Sequence, residues 1–340
     1  MTSYVTQSRF DSKRWITDYA GRATAPGVEV AHYLDFDQQA EQLVGFDQEY
    51  HQLSAGRFEG RFVSVDFGAG TSIHVEYASQ ALAQSMCAPA DHISLGFVLG
   101  RAPYVVNGQP LEQSYVLLIP PGAELHFRSP QSGSIIAVCI SLDTMFQATG
   151  ADGLPFLASG QSARVLEAPD FSARARNDIL DTLNAVSVHG DVAHLGRVLA
   201  TSLLANLTAE IALRSGGTVK RNQSRKLDNF LRATAIFKSY GHAPLTYDTL
   251  TALTGASRRN LQNSFKDVVG CGPFEYFRLL RLSQARSRIA MQSTGTQTIG
   301  DIAAASGFYD WSNFSRLYKH QFGESPSKTR QRLCEKVHFS

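Results

Sequence analysis

Two stretches of this chain combine side chains that can form paired hydrogen bonds with the edges of flat heteroaromatic rings. The first holds Arg258, Arg259, Gln262, Asn263 and Lys266, and the second Trp311, Ser312, Ser315, Arg316 and Lys319. Arg, Gln and Asn can each present two hydrogen-bonding groups at once to guanine or adenine, whereas Lys offers a point charge suited to phosphate. Apolar residues fall between them at helical spacing: Leu261, Phe265 and Val268 in one stretch, Phe314, Leu317 and Tyr318 in the other. Each stretch therefore predicts a helix with one face to bury and one left free. A single free polar face would be an ordinary solvated surface; two in one segment call for an explanation.

The elements that must position these faces are themselves repeated. Leu250-Thr251-Ala252-Leu253-Thr254-Gly255 matches Ile302-Ala303-Ala304-Ala305-Ser306-Gly307 at an offset of 52. After the glycine the offset becomes 53, pairing Leu261 with Phe314, Phe265 with Tyr318, Gly270 with Gly323 and Pro273 with Pro326, so one extra residue lies in the second turn. A short helix, a glycine-containing turn and a second helix make the helix-turn-helix layout, whose second helix enters the major groove of DNA. Leu250 and Leu253 are expected to form the apolar stripe of the first short helix, and Gly255 to permit the turn. Ser257 and Asp310 are expected to cap the two reading helices by accepting backbone hydrogen bonds. A long helix, about Pro273 to Met291, joins the two units.

Charge divides the chain in the same place. Residues 1 to 215 carry 13 Lys+Arg against 22 Asp+Glu, a net −9, whereas residues 216 to 340 carry 19 against 8, a net +11. A basic segment of this size attracts a polyanion, because each phosphate it neutralises releases condensed counterions. Between the halves, residues 215–225 are glycine, polar and basic with no apolar period, which predicts a linker. The expected domains are 1–169, a helical segment 170–214, the linker 215–225 and a DNA-reading domain 226–340.

The run Ile299-Gly300-Asp301-Ile302-Ala303-Ala304-Ala305-Ser306-Gly307-Phe308, followed by Phe314-Ser315-Arg316-Leu317-Tyr318-Lys319-His320-Gln321-Phe322-Gly323-Glu324-Ser325-Pro326, resembles the AraC/XylS transcriptional regulators. That resemblance places base-facing side chains at Arg259, Gln262 and Asn263 in the first reading helix, and at Ser312 and Arg316 in the second. Two positions depart from the family pattern: Asn263 stands where many members carry Arg, and Trp311 replaces a small polar residue. Val106-Asn107-Gly108-Gln109-Pro110-Leu111 with Leu118-Ile119-Pro120-Pro121-Gly122 similarly resembles the cupin-type effector domain that precedes the DNA domain in many members.

The residues of the first half agree with that. Short β-rich runs cover Arg61 to Phe67, Ser72 to Tyr77, Ile93 to Leu99, Tyr115 to Ile119, Glu124 to Arg128 and Ser134 to Ile140, with Asn107-Gly108 a tight-turn signal. Together they predict a small antiparallel β-barrel, and the fold class is multidomain α+β, with an all-α second domain. Candidate effector-binding residues inside such a barrel are Tyr77, Phe97, Tyr104 and His126. Leu199, Leu203 and Leu207 lie on a helical apolar stripe that either packs on the barrel or, as the resemblance suggests, holds a homodimer. Some cupins are metal enzymes, but there is no HxH pair, and His74, His92 and His126 stand alone, so neither metal, cofactor nor catalysis is expected.

Cys87, Cys139, Cys271 and Cys334 are dispersed, with no CxxC pair, which predicts neither a zinc cluster nor a disulfide framework. The first ten residues lack a signal-peptide pattern and no apolar run is long enough to span a bilayer, so a soluble cytoplasmic protein with no membrane partner is expected. The expected function is ligand-modulated promoter binding: a small-molecule effector, duplex DNA and RNA polymerase as partners, and activation of a catabolic or metabolic operon. A repressor released by its ligand is the alternative. An architectural DNA binder is disfavoured, because polar side chains rather than apolar wedges occupy the free helix faces.

Overall fold

Alternation along the strands sorts the first half of the chain into an inward face and an outward face. The computed structural model describes residues 12–20, 27–43, 45–68, 70–150, 162–186, 192–214, 225–240, 245–291 and 297–337. The strands are β1 (Val28–Tyr33), β2 (Asp47–Gln52), β3 (Gly60–Asp66), β4 (Thr71–Ala78), β5 (Leu82–Cys87), β6 (His92–Val98), β7 (Tyr104–Val106), β8 (Gln109–Leu111), β9 (Tyr115–Ile119), β10 (Glu124–Arg128), β11 (Gly133–Ser141) and β12 (Arg164–Glu167). They pair antiparallel into two sheets rather than one closed ring, in the orders β1-β3-β4-β11-β6-β9-β12 and β2-β5-β10-β7-β8. Asn107 and Gly108 make the β7–β8 turn with φ of 51° and 79°, both in the left-handed region that this hairpin turn demands.

One face of the seven-stranded sheet is covered by helices α1 (Ser12–Ala20), α3 (Leu142–Thr149), α4 (Pro169–Val186) and α5 (Val192–Arg214). Val63, Val65, Ile73, Val75, Leu95, Phe97 and Ile136 from the strands interlock with Phe171, Ile179 and Leu183 of α4. Leu199, Leu203 and Leu207 of α5 join the same core, at most 3% exposed. This corrects the expectation of a dimer contact at these three residues: burying each leucine side chain against its own sheet contributes about 1.5–3 kcal/mol, and none is left for a second chain.

The described elements of the second half are all helices: α6 (Arg225–Tyr240), α7 (Tyr247–Thr254), α8 (Arg258–Val269), α9 (Pro273–Met291), α10 (Ile299–Ala305), α11 (Trp311–Phe322) and α12 (Pro326–Val337). Of the expected linker, residues 215–224 lie outside the described residues. Leu227, Phe230, Leu250, Leu261, Phe265 and Phe277 form the core of the first helix-turn-helix unit. Leu282, Ile289, Ile302, Phe314, Tyr318 and Phe322 form that of the second.

Neither core is closed within the helical half. Phe36, Tyr50, Phe58 and Leu82 of the first domain complete the second core, and Ala83 of β5 enters the first. The short helix α2 (Phe36–Ala40) carries much of this contact. Arg286 on α9 donates from Nη1 and Nη2 to the two carboxylate oxygens of Asp35, at 3.0 and 2.8 Å, and both side chains are buried. Ser287 donates to Asp37 at 2.7 Å. Further along, Gln52 Nε2 donates to the Gln321 carbonyl at 2.8 Å and Gln321 Nε2 returns a bond to the Gln52 carbonyl at 2.9 Å.

Candidate nucleic-acid interface

Each reading helix is started and stopped by its own residues. Ser257 accepts from the Asn260 N–H and Asp310 from the Asn313 N–H, so both helices begin where the sequence pattern placed them. Gly255 ends α7 at φ 68°, a conformation costly for a side chain with a Cβ. From that glycine to the next cap there are two residues in the first unit and three in the second, Gly307 to Asp310, the one-residue insertion seen in the repeat. Leu253 is an exception to the expected apolar stripe: it is 53% exposed, whereas Leu250 is buried in the core.

Arg258, Arg259, Gln262, Asn263 and Lys266 are all exposed along α8, while Leu261, Phe265 and Val268 turn inward. On α11, Trp311, Ser312, Arg316 and Lys319 are exposed, Ser315 is half-buried, and Phe314 and Tyr318 are buried. The faces are partly preorganised. The Arg258 guanidinium lies 4.1 Å from the centre of the Tyr247 ring, and Gln262 Nε2 donates to the Tyr247 hydroxyl at 3.4 Å. Arg316 donates to the Asn313 side-chain oxygen at 2.9 Å, which holds its fork along the helix surface. Trp311 rests its ring on Phe314, with centroids 5.8 Å apart. Tyr247 and Asn313 escaped the sequence reading. The signal for Tyr247 was its place one residue after the Thr246 cap, and for Asn313 its position three before Arg316.

The four expected effector residues do not converge. Tyr77 and Phe97 point to the helical layer, where Lys13 lies over the Tyr77 ring and Phe97 meets Phe171. His126 points away from the interior, bonded to Ser85 and edge-on to Phe230 of α6. Tyr104 alone of the four faces the space between the sheets, beside Phe127. The reason is parity: in β4, β6 and β10 the residue types suited the interior, but the register sent these side chains to the opposite face. His74 does face inward, bonded to both Ser64 and Ser72, and burial pulls its pKa down to about 4. No three His, Cys, Asp or Glu side chains are grouped to hold a metal ion among the described residues, and no described helix is long and apolar enough to cross a membrane.

Residues 250–332 match the family described as "Helix-turn-helix domain". The transcriptional activator RhaR of Pectobacterium carotovorum is 37% identical over 112 residues, 33% of this chain and 36% of that protein. The probable transcription factor PqrA of Proteus vulgaris is 36% identical over 84 residues, 25% of this chain and 66% of that protein. Among solved structures, a probable AraC family transcriptional regulator from Rhodopseudomonas palustris shares 30% identity over 31% of this chain and 97% of its own, with a TM-score of 0.28. The chain thus spans about a third of the length of the RhaR relative.

Proposed function

From the premise that residues 250–332 are an AraC-type helix-turn-helix domain, we propose that this chain is a cytoplasmic, sequence-specific transcription regulator whose first domain answers to a small molecule. One observation carries the reading: two capped reading helices, each with an apolar face buried and Arg, Asn and Lys exposed, the first adding Gln262, stand in a region of net charge +11. Residues 1–169 act as the effector domain, 170–214 as its helical cover, and 226–340 as the reader. The regulator works as a homodimer and activates transcription by contacting RNA polymerase. It is not an enzyme.

The test is binding-site selection with the full-length chain, followed by affinity measurements over a salt series. A defined recognition sequence, with affinity falling steeply as salt rises, is expected because phosphate contacts release counterions. Binding without sequence preference, or binding indifferent to salt, would overturn the proposal.

A further inference from the structure

Between the two sheets, some of the inward polar groups are left without partners. Register places Phe62 of β3 opposite Glu76 of β4, and Tyr50 of β2 opposite Gln84 of β5, all on the inward face. Glu76 accepts from Gln39 Nε2 at 2.7 Å and from the Tyr50 hydroxyl at 3.4 Å. No Lys or Arg is paired with it among the described residues, although burial already disfavours its charge and pushes its pKa up. The Gln39 donor, with the Tyr50 hydroxyl shared between Glu76 and Gln48, favours the ionised form against the larger opposing effect of burial, so a cation placed beside Glu76 would supply the counter-charge its surroundings lack.

Three further groups are open nearby. Gln84 is 3% exposed and its amide makes no hydrogen bond among the described residues; the same holds for the hydroxyl of Tyr104, also 3% exposed. The Gln39 side-chain oxygen is buried and unpaired. Ser72 and Glu76 of β4, with Ile135 and Ala137 of β11, are half-buried on the inward side, while Ile73, Val75, Ile136 and Val138 on the other face are fully buried. A half-buried carboxylate with the aromatic side chains of Tyr50, Tyr104 and Phe62 on the same inward side is a combination suited to a positively charged nitrogen, through charge pairing and attraction to aromatic rings.

Resting on the regulator reading above, we propose that the effector is a small organic cation, an amine, guanidinium or quaternary ammonium compound, whose charged nitrogen pairs with Glu76 between Tyr50, Tyr104 and Phe62. Gln84 takes a polar group on the rest of the ligand.

The experiment is calorimetry on the full-length chain with butylammonium, butylguanidinium and choline, each set against an uncharged counterpart such as 3,3-dimethylbutan-1-ol for choline. At least one cation is expected to bind tenfold or more tightly than its neutral counterpart. Glu76→Gln, which keeps an acceptor for Gln39, should abolish that preference. Binding of no cation at millimolar concentration, or equal binding of cation and counterpart, overturns the proposal using the unaltered chain alone. Retained preference in a folded Glu76→Gln variant overturns it too. The regulator reading fails separately, by loss of sequence-selective DNA binding in the unaltered chain.

Discussion

Arg259 and Arg316 lie on the exposed sides of their helices, and their planar forks suit guanine O6 and N7. Replacing either with alanine should cost roughly 1–3 kcal/mol on the preferred site and relax preference at one position each. Lys319→Ala should weaken all sequences nearly equally. Binding-site selection with each variant at fixed salt reads the difference; a uniform loss for Arg316→Ala would assign it to phosphate and shift base reading to Ser312 or Ser315. Asp37 gives a second prediction. Burial, with the neighbouring charge of Asp35, pushes its carboxyl up to about 6 from the ordinary 3.8. The folded chain then holds this proton more tightly than the unfolded one, so the group's stabilising contribution is full below the ordinary value and is lost as pH rises through about 6. The melting temperature of Asp37→Asn, relative to the unaltered chain, should therefore rise between pH 4.5 and pH 7.5. A difference constant across that range would show that Asp37 does not titrate there.

At the scale of elements, α5 is a packing helix. Leu203→Glu should unfold the first domain rather than release a folded monomer, seen as loss of β-sheet circular dichroism. A folded monomer would restore the dimer contact. How far such elements were legible from sequence depended on their surroundings. Strands β3, β4, β6, β9, β10 and β11 carried apolar alternation or continuous apolar runs because one or both faces meet a core. Strand β2, Asp47-Gln48-Glu49-Tyr50-His51-Gln52, reads as polar throughout. One of its faces lines the polar interior, and the other meets the helical half, where Glu49 accepts from Lys238 at 3.0 Å. The reading helices were legible because caps, glycines and apolar spacing all agree. The inward set of the two sheets was not, since a residue's type does not reveal its parity when both sheet faces are covered.

At the scale of the molecule, the buried Arg286–Asp35 pair joins the reader to the first domain. Removing one partner strands the other's charge, so Asp35→Ala should destabilise the chain by about 3–5 kcal/mol, whereas the double replacement Asp35→Leu with Arg286→Met should recover most of that loss. Chemical denaturation of the two variants beside the unaltered chain measures it; a double variant no better than the single would mean that shape, not charge, governs the contact. The partners are 251 residues apart in the chain. At a synthesis rate of about 5–20 residues per second, roughly 13–50 s separate the making of Asp35 from that of its partner Arg286, and the Gln52 amide waits a similar time for Gln321 on α11. For that interval every newly made copy presents an unfinished acceptor surface, so the ribosome's pace sets how long the chain is open to chaperones and to the helical half of a neighbouring nascent copy.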